Sequence, residues 1–405
     1  MLYLDTARLG QTSPSALETQ VDFTRLTAEQ PSSLYTDRFL AEGIEAAPNS
    51  WIERFPGLGR WRGIAELKKK VLAAADAPSG HEVAIASRST LLMRTASWAM
   101  YRRCRNVLVT DLNWPAYQAE VADTAARTHQ RYTVFSCRNE LRRHQMSSER
   151  IVSEIAEHYK QHSCDGIFLP LVDNLGIKLP VKQIVAAISE IASPRFVLID
   201  GAQALGHLPK IDVHDHCDIF IAGGHKWLRS GHPLGIAIYG RTRSRDYLSR
   251  CFNAADRANQ IDDSLCRFVS ALSEQSICNQ YSETVNVSPL LSFRAALEDF
   301  PSASEVRHQH WRDQAVNQSR VRAVACRNGW TPQSGSKDFH SGILTIHPRK
   351  RPRERSRGDR LRRQLAEHAI AASCYGGGIL RMSMPKLILE MEELQRIQFA
   401  LDQCG

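Results

Sequence analysis

Between about residues 80 and 240, short and nearly continuous apolar runs alternate with longer segments whose apolar positions recur every three or four residues. The short runs are EVAIA (82–86), NVLVT (106–110), RYTVF (131–135), GIFLPLV (166–172), RFVLID (195–200), DIFIA (218–222) and GIAIYG (235–240). Several are β-rich and lack polar alternation, which predicts strands buried on both faces. SSERIVSEIAEHYKQH (147–162) predicts a helix capped by Ser147 or Ser148, with Glu149 in its first turn. PVKQIVAAISEIA (180–192) predicts another. The alternation of strands and helices predicts an α/β fold: a mainly parallel, seven-stranded sheet with helices on both faces.

After residue 240 the rhythm changes. Residues 241–285 read as polar and irregular, and PLLSFRAALEDF predicts a helix over 289–300. A compact α+β pattern follows: a helix near 304–328, a strand over 341–348, a helix from about 356 to 370, a short strand near 379–384 and a last helix over 389–403. The expected division is an N-terminal segment (1–20), a large domain (21–285) and a smaller α+β C-terminal domain (286–405).

Composition narrows the class of protein. The chain has 405 residues, 43% hydrophobic and 23% charged, enough to bury a substantial core. No apolar stretch approaches the roughly 18 to 20 residues that span a bilayer, and MLYLDTARLG lacks the basic and apolar regions of a secretory signal. A soluble, cytoplasmic protein with no membrane partner is expected. The ten cysteines contain no Cys-x-x-Cys pair, so reduced thiols are expected. His214-Asp215-His216-Cys217 has no second cluster at zinc-like spacing and reads as a loop, so no metal is expected. Of the net charge of +9, residues 349–363 carry +7; without interleaved aromatics this run reads as a solvated loop entering a helix. Nucleic acid is not an expected partner.

The chemistry concentrates where two apolar runs end. FVLID finishes on Asp200, followed by Gly201-Ala202-Gln203, and DIFIA leads into Gly223-Gly224-His225-Lys226-Trp227. In a parallel α/β sheet the carboxyl ends of strands share one rim, where ligands bind. An acid there can keep a pyridine nitrogen protonated, and a desolvated lysine can condense with an aldehyde and move protons. That combination points to pyridoxal 5′-phosphate. Gln203, one turn past Asp200, could donate to the cofactor's phenolate oxygen. Ser89 and Thr90 open a helix after a strand, where free N–H groups favour an anion. His225 and Gly223 could complete that cradle, and Trp114, just past NVLVT, could stack on the ring.

These residues resemble those of the class-V aminotransferase-like enzymes of the fold-type I pyridoxal-phosphate group, which include cysteine desulfurases, kynureninase, isopenicillin-N epimerase and hercynylcysteine sulfoxide lyase. The likeness runs through YLDTARLG (3–10), ASRST (86–90), Trp114, VDN (172–174) with Gly176, DGAQALGH (200–207), GGHKW (223–227), ETVN (283–286) and LRMSM (380–384). It implies a fold-type I pyridoxal-phosphate enzyme with Asn174 near the cofactor and Arg381 as clamp for a substrate carboxylate. It also implies a homodimer in which Thr284 reaches the cofactor of the neighbouring subunit. SCYGGGILR (373–381) is shorter than the loop bearing the desulfurase cysteine, so Cys374 is expected to be structural. Gly223 also stands where desulfurases usually have a Ser or His.

Several reactions share the first step, loss of the α-proton of an amino acid to Lys226. The motifs most resemble the lyase branch, so the expected reaction is β-elimination at a Cβ–X bond, including C–S. Transamination and epimerisation are the alternatives within the family, and a catalytically silent binding protein is the alternative outside it. Arg8 and Arg88 could select an acidic substrate side chain.

Overall fold

The strands form where the apolar runs predict them. The computed structural model describes residues 1–30, 37–143, 146–257, 262–275, 284–333, 336–349 and 357–404. Strand β1 is Leu2–Tyr3, followed by β2 (Glu82–Ala86), β3 (Asn106–Thr110), β4 (Arg131–Phe135), β5 (Gly166–Pro170), β6 (Phe196–Asp200), β7 (Ile219–Gly223) and β8 (Gly235–Tyr239). Strands β2 to β8 make a seven-stranded sheet in the order β2-β8-β7-β6-β5-β3-β4. Only β8 runs against its neighbours; β3 to β7 pair in parallel.

Burial on both faces explains the unbroken apolar runs. Side chains alternate across a strand, so Val197 and Ile199 enter one core cluster while Phe196 and Leu198 enter the other. Helices Ser148–Gln161, with Ser147 as cap, and Val181–Ile191 cover the first of these faces. Helices Ser89–Tyr101 and Pro115–Arg127 cover the second. Gly201 directly follows β6 because the Phe220 ring packs on it; a Cβ there would lie 1.9 Å from that ring.

The C-terminal part holds β9 (Trp330–Pro332), β10 (Ile343–Pro348), β11 (Ile370–Ala371), β12 (Ser373–Tyr375) and β13 (Ile379–Ser383). An antiparallel sheet runs β12-β13-β10-β9, and β1 pairs in parallel with β11. The chain start thus acts as a strap. Leu4 O accepts from Ser383 N at 2.7 Å, while Gly10 N donates to His225 O at 2.8 Å. No helix among the described residues is long and apolar enough to cross a membrane.

Three expectations need correction. Residues 241–285 are not irregular: they contain helices Arg245–Arg257 and Ser264–Gln275. Their apolar residues are few but correctly spaced, Leu248 with Phe252 and Leu265 with Phe268, Val269 and Leu272, all buried. The helix expected over 289–300 spans only Ser288–Ala296, and the one expected to reach 370 ends at Glu367, because Ile370 pairs in β11. Of the basic run, residues 350–356 lie outside the described residues.

The two motif segments are tied together by aromatic and hydrogen-bonding contacts. Trp227 Nε1 donates to Gln203 Oε1 at 2.8 Å, and the His207 ring stacks on Trp227 at 3.8 Å with planes 6° apart. Gly342 N donates to His207 Nε2 at 2.9 Å, so Nδ1 carries the proton that meets Gln203 O at 2.7 Å. Burial pushes the His207 imidazole down to about 3 from 6.5. Between those values the unfolded chain binds a proton that the fold excludes. Stability is therefore intact above pH 6.5 and falls as pH drops toward 3, by about 1.4 kcal/mol per unit for this one group. His207→Gln should lower the melting temperature at pH 7.5 yet lose less on shifting to pH 5 than the wild type does. Equal losses in thermal unfolding at the two pH values would show that His207 is not held neutral.

Candidate active site

Asp200 ends β6 and Lys226 follows the end of the neighbouring β7 by three residues, so the parallel pairing brings them to one rim. They line a cavity of about 510 Å³ together with Arg8, Ser89, Thr90, Trp114, Asn174, Gln203, His225 and Arg381. Gly223, Thr284 and Arg88 are the predicted residues that do not line it. Gly223 is buried as the last residue of β7, opposite Gly235. Thr284 is exposed ahead of helix Ser288–Ala296, and Glu283 of its motif lies outside the described residues.

Burial sets the titration of the central pair. Desolvation pushes the Asp200 carboxyl up to about 6, against the Ala202 N–H (2.8 Å) and the nearby Lys226 charge. Desolvation likewise holds the Lys226 amine down to about 8; Asp200 opposes this and Arg381 adds to it. A substantial fraction of that amine is neutral near pH 7.5, which an ordinary lysine cannot match. Burial, then the adjacent Lys226 charge, also holds His225 down at about 4.

One end of the cavity is suited to a phosphate. Helix Ser89–Tyr101 opens on Arg88, whose side chain makes no capping bond, leaving its first-turn N–H groups toward Ser89 and Thr90. Gly235 lets this turn sit against β8, since a Cβ there would lie 2.4 Å from Ser89 N. Buried His225 Nδ1 has no hydrogen-bond partner, and a phosphate oxygen would supply one. With Asp200 and Lys226 beside this cradle, the residues fit pyridoxal 5′-phosphate.

The opposite end is built by the C-terminal sheet. Arg381, on β13, donates from Nη1 to Asn174 O (2.9 Å) and from Nη2 to Ser373 Oγ (2.9 Å), with Asp5 Oδ1 at 3.5 Å. Its buried Nε is without a partner, which leaves one donor for an incoming carboxylate. Gln203 is more committed than its sequence position suggests. Its Oε1 accepts from Trp227 and its Nε2 donates to Ala7 O at 2.7 Å, leaving one amide hydrogen.

Four features escaped the sequence reading. Tyr117 lines the cavity and donates to Ser89 Oγ at 2.6 Å; its signal was its place one helical turn past Trp114. Asp263 accepts from Ser87 N at 3.0 Å and from Cys266 N at 2.9 Å, so it caps helix Ser264–Gln275 while gripping the ASRST turn. Asp5 sits inside the YLDTARLG segment and braces Arg381 and Ser373. Arg362 lines the cavity although its basic run reads as solvated: it lies midway along helix Arg357–Glu367, whose Leu361 and Leu365 are buried, and its side chain is half exposed at the cavity edge. Arg88, by contrast, does not line the cavity.

Structural likeness extends over the whole chain. The cystine C–S lyase C-DES, in complex with its reaction product cysteine persulfide, superposes with a TM-score of 0.68 at 17% identity, over 99% of this chain and 97% of that one. An aspartate aminotransferase of subgroup IV from Thermus thermophilus gives 0.65 at 15% identity, over 100% and 99%. A cysteine desulfurase from Thermococcus onnurineus NA1 gives 0.67 at 12% identity, over 99% and 94%. No curated protein sequence matches the chain significantly. Residues 63–323, which hold the whole Asp200–Lys226 rim, match the family model described as aminotransferase class-V. This chain therefore belongs to the class-V aminotransferase family, enzymes that depend on pyridoxal 5′-phosphate.

Proposed function

We propose that this enzyme is a β-lyase that breaks the bond between Cβ and a heteroatom, sulfur in a cysteine conjugate, of an amino-acid substrate. The observation that carries this reading is the state of Cys374, the one cysteine among the described residues lining the cavity. Its thiol is buried against Ala372 O (3.9 Å), and burial pushes it up to about 12. Persulfide formation needs a thiolate at neutral pH, and this sulfur is protonated there. Proton transfer by Lys226 needs no such group.

When bound, the cofactor supplies an electron sink for the bond electrons released at the substrate Cα. In the proposed reaction Arg381 Nε receives the α-carboxylate and thereby fixes which Cα bond faces Lys226. The neutral Lys226 amine then accepts the α-proton. Asp200 would keep the cofactor's ring nitrogen protonated, and Ser89, Thr90 and His225 would hold its phosphate. Trp114 would stack on the cofactor ring, Asn174 shapes the wall through its carbonyl on Arg381, and Gln203 would offer its remaining amide hydrogen to the cofactor's phenolate oxygen. Overall, the Cβ–S bond breaks, the sulfur leaves as a thiol, and water converts the remaining three carbons to pyruvate and ammonium. We also propose a homodimer in which Thr284 reaches the neighbouring subunit's cofactor.

Incubation with cysteine conjugates should release pyruvate and ammonium in equal amounts, and Lys226→Ala should lower the rate by about 10²–10⁴-fold. Conversion of the bound cofactor to its amine form, with no pyruvate, would replace the lyase by an aminotransferase. The Lys226 titration gives a second expectation. The neutral amine attacks the cofactor aldehyde, and its fraction rises with pH. Cofactor uptake by apoprotein, followed by visible absorbance, should therefore accelerate through about pH 8 rather than near the ordinary 10.5. A third concerns Asp263. Asp263→Asn weakens the grip on Ser87 and should raise the cofactor dissociation constant roughly tenfold in equilibrium titration, at unchanged helix content. An unaltered constant would mean that the turn holds its shape without this acid.

A further inference from the structure

The end of the cavity away from the phosphate cradle carries more positive charge than an α-carboxylate requires. Arg381 comes from β13, Arg8 from the N-terminal strap and Arg362 from helix Arg357–Glu367, and all three line the same space. Ala7 N donates to Ser383 Oγ at 2.8 Å, which holds Arg8 beside the β13 side of the cavity. Arg362 Nη2 reaches Cys374 O at 3.4 Å, on β12, the strand that pairs with β13.

The acids of the cavity are already committed. Of the two that line it, Asp200 faces Lys226 and Asp173 faces Arg138 at 2.9 Å; Asp5, outside the lining, stands 3.5 Å from Arg381. Among the described residues Arg362 pairs only with Asp359, three residues back on its own helix and 78% exposed. Such a surface pair is weak and yields readily to a better anion. Arg8, which is exposed, forms no ion pair with an acid among the described residues. Two exposed guanidinium groups, Arg8 and Arg362, thus line the same cavity as the buried Arg381, and the carboxylates lining that cavity do not pair with them.

We infer that this end binds a second carboxylate, so that the substrate is an amino acid whose Cβ substituent itself ends in an acid. Arg381 takes the α-carboxylate, and Arg362, aided by Arg8, takes the distal one, for which the planar fork of arginine is suited. This inference rests on the lyase reading for its reaction but not for its charge recognition.

The test uses the holoenzyme and its Arg362→Gln and Arg8→Gln variants. S-carboxymethylcysteine and its neutral isostere S-carbamoylmethylcysteine are compared as substrates by pyruvate release. Glutarate and its monoamide are compared as unreactive ligands by calorimetry. The wild type should prefer the acid over the amide by about 10–100-fold in kcat/KM, with Arg362→Gln erasing that preference and Arg8→Gln reducing it. Glutarate should outbind its monoamide, again only while Arg362 is present. Absence of pyruvate from both conjugates, with the glutarate preference intact, would sink the lyase reading and keep the anion site. Turnover of both conjugates at equal efficiency would overturn the anion site and keep the lyase. Weaker cofactor binding in Arg362→Gln with an unchanged acid preference would also overturn it, by assigning this arginine to the phosphate.

Discussion

An acid and an amine buried at the carboxyl ends of neighbouring parallel strands impose a strict condition. Each ion would cost several kcal/mol to remove from water, even after the surroundings relax, unless an opposite charge stands beside it. Asp200 and Lys226 meet that condition for one another, and their opposed titrations, up to about 6 and down to about 8, record the residual cost. The same desolvation that makes the pair expensive makes it reactive, because it leaves far more of the amine neutral near physiological pH than an ordinary lysine has. The order β7-β6-β5 in the sheet is what allows the two ends to meet.

Holding the pair in register requires more than the sheet. Lys226 sits on a connection, not a strand, and that connection is fixed on three sides. Trp227 is bonded to Gln203 and stacked on His207; His207 is bonded to Gly342, next to β10; and the His225 carbonyl is bonded to Gly10 of the N-terminal strap. The strap also pairs with β11 and bonds to Ser383 of β13. Through these contacts the C-terminal sheet that carries Arg381 is joined to the loop that carries Lys226. DGAQALGH thus does two jobs: its acid faces the cavity, while its amide and imidazole largely lock the loop.

How far the sequence could be read varied with the physics of each element. The seven strands of the main sheet were legible because burial on both faces forces long apolar runs with no polar interruption. Helix Ser148–Gln161 was legible from its cap and its periodicity. Helices Arg245–Arg257 and Ser264–Gln275 were not, because each buries a narrow stripe and presents a polar majority to the outside. Arg362 was hidden for a related reason: in a run of nine basic residues, composition cannot say which one lines the cavity. Asp263 and Asp5 act across long sequence separations, on Ser87 and Arg381, which no local pattern encodes.

By itself the sequence determined the α/β class, the Asp200–Lys226 pair and the cofactor it implies. Those properties follow from local apolar patterning and from residue types at strand ends. Only the tertiary structure decided what surrounds the pair: Tyr117 on Ser89, Asp263 on the phosphate turn, Asp5 on Arg381, and Arg362 beside Arg8. It also decided that Cys374 is a buried thiol. Each of these depends on which segments come within hydrogen-bonding distance and on how much water their packing excludes, and neither quantity is local to any stretch of chain.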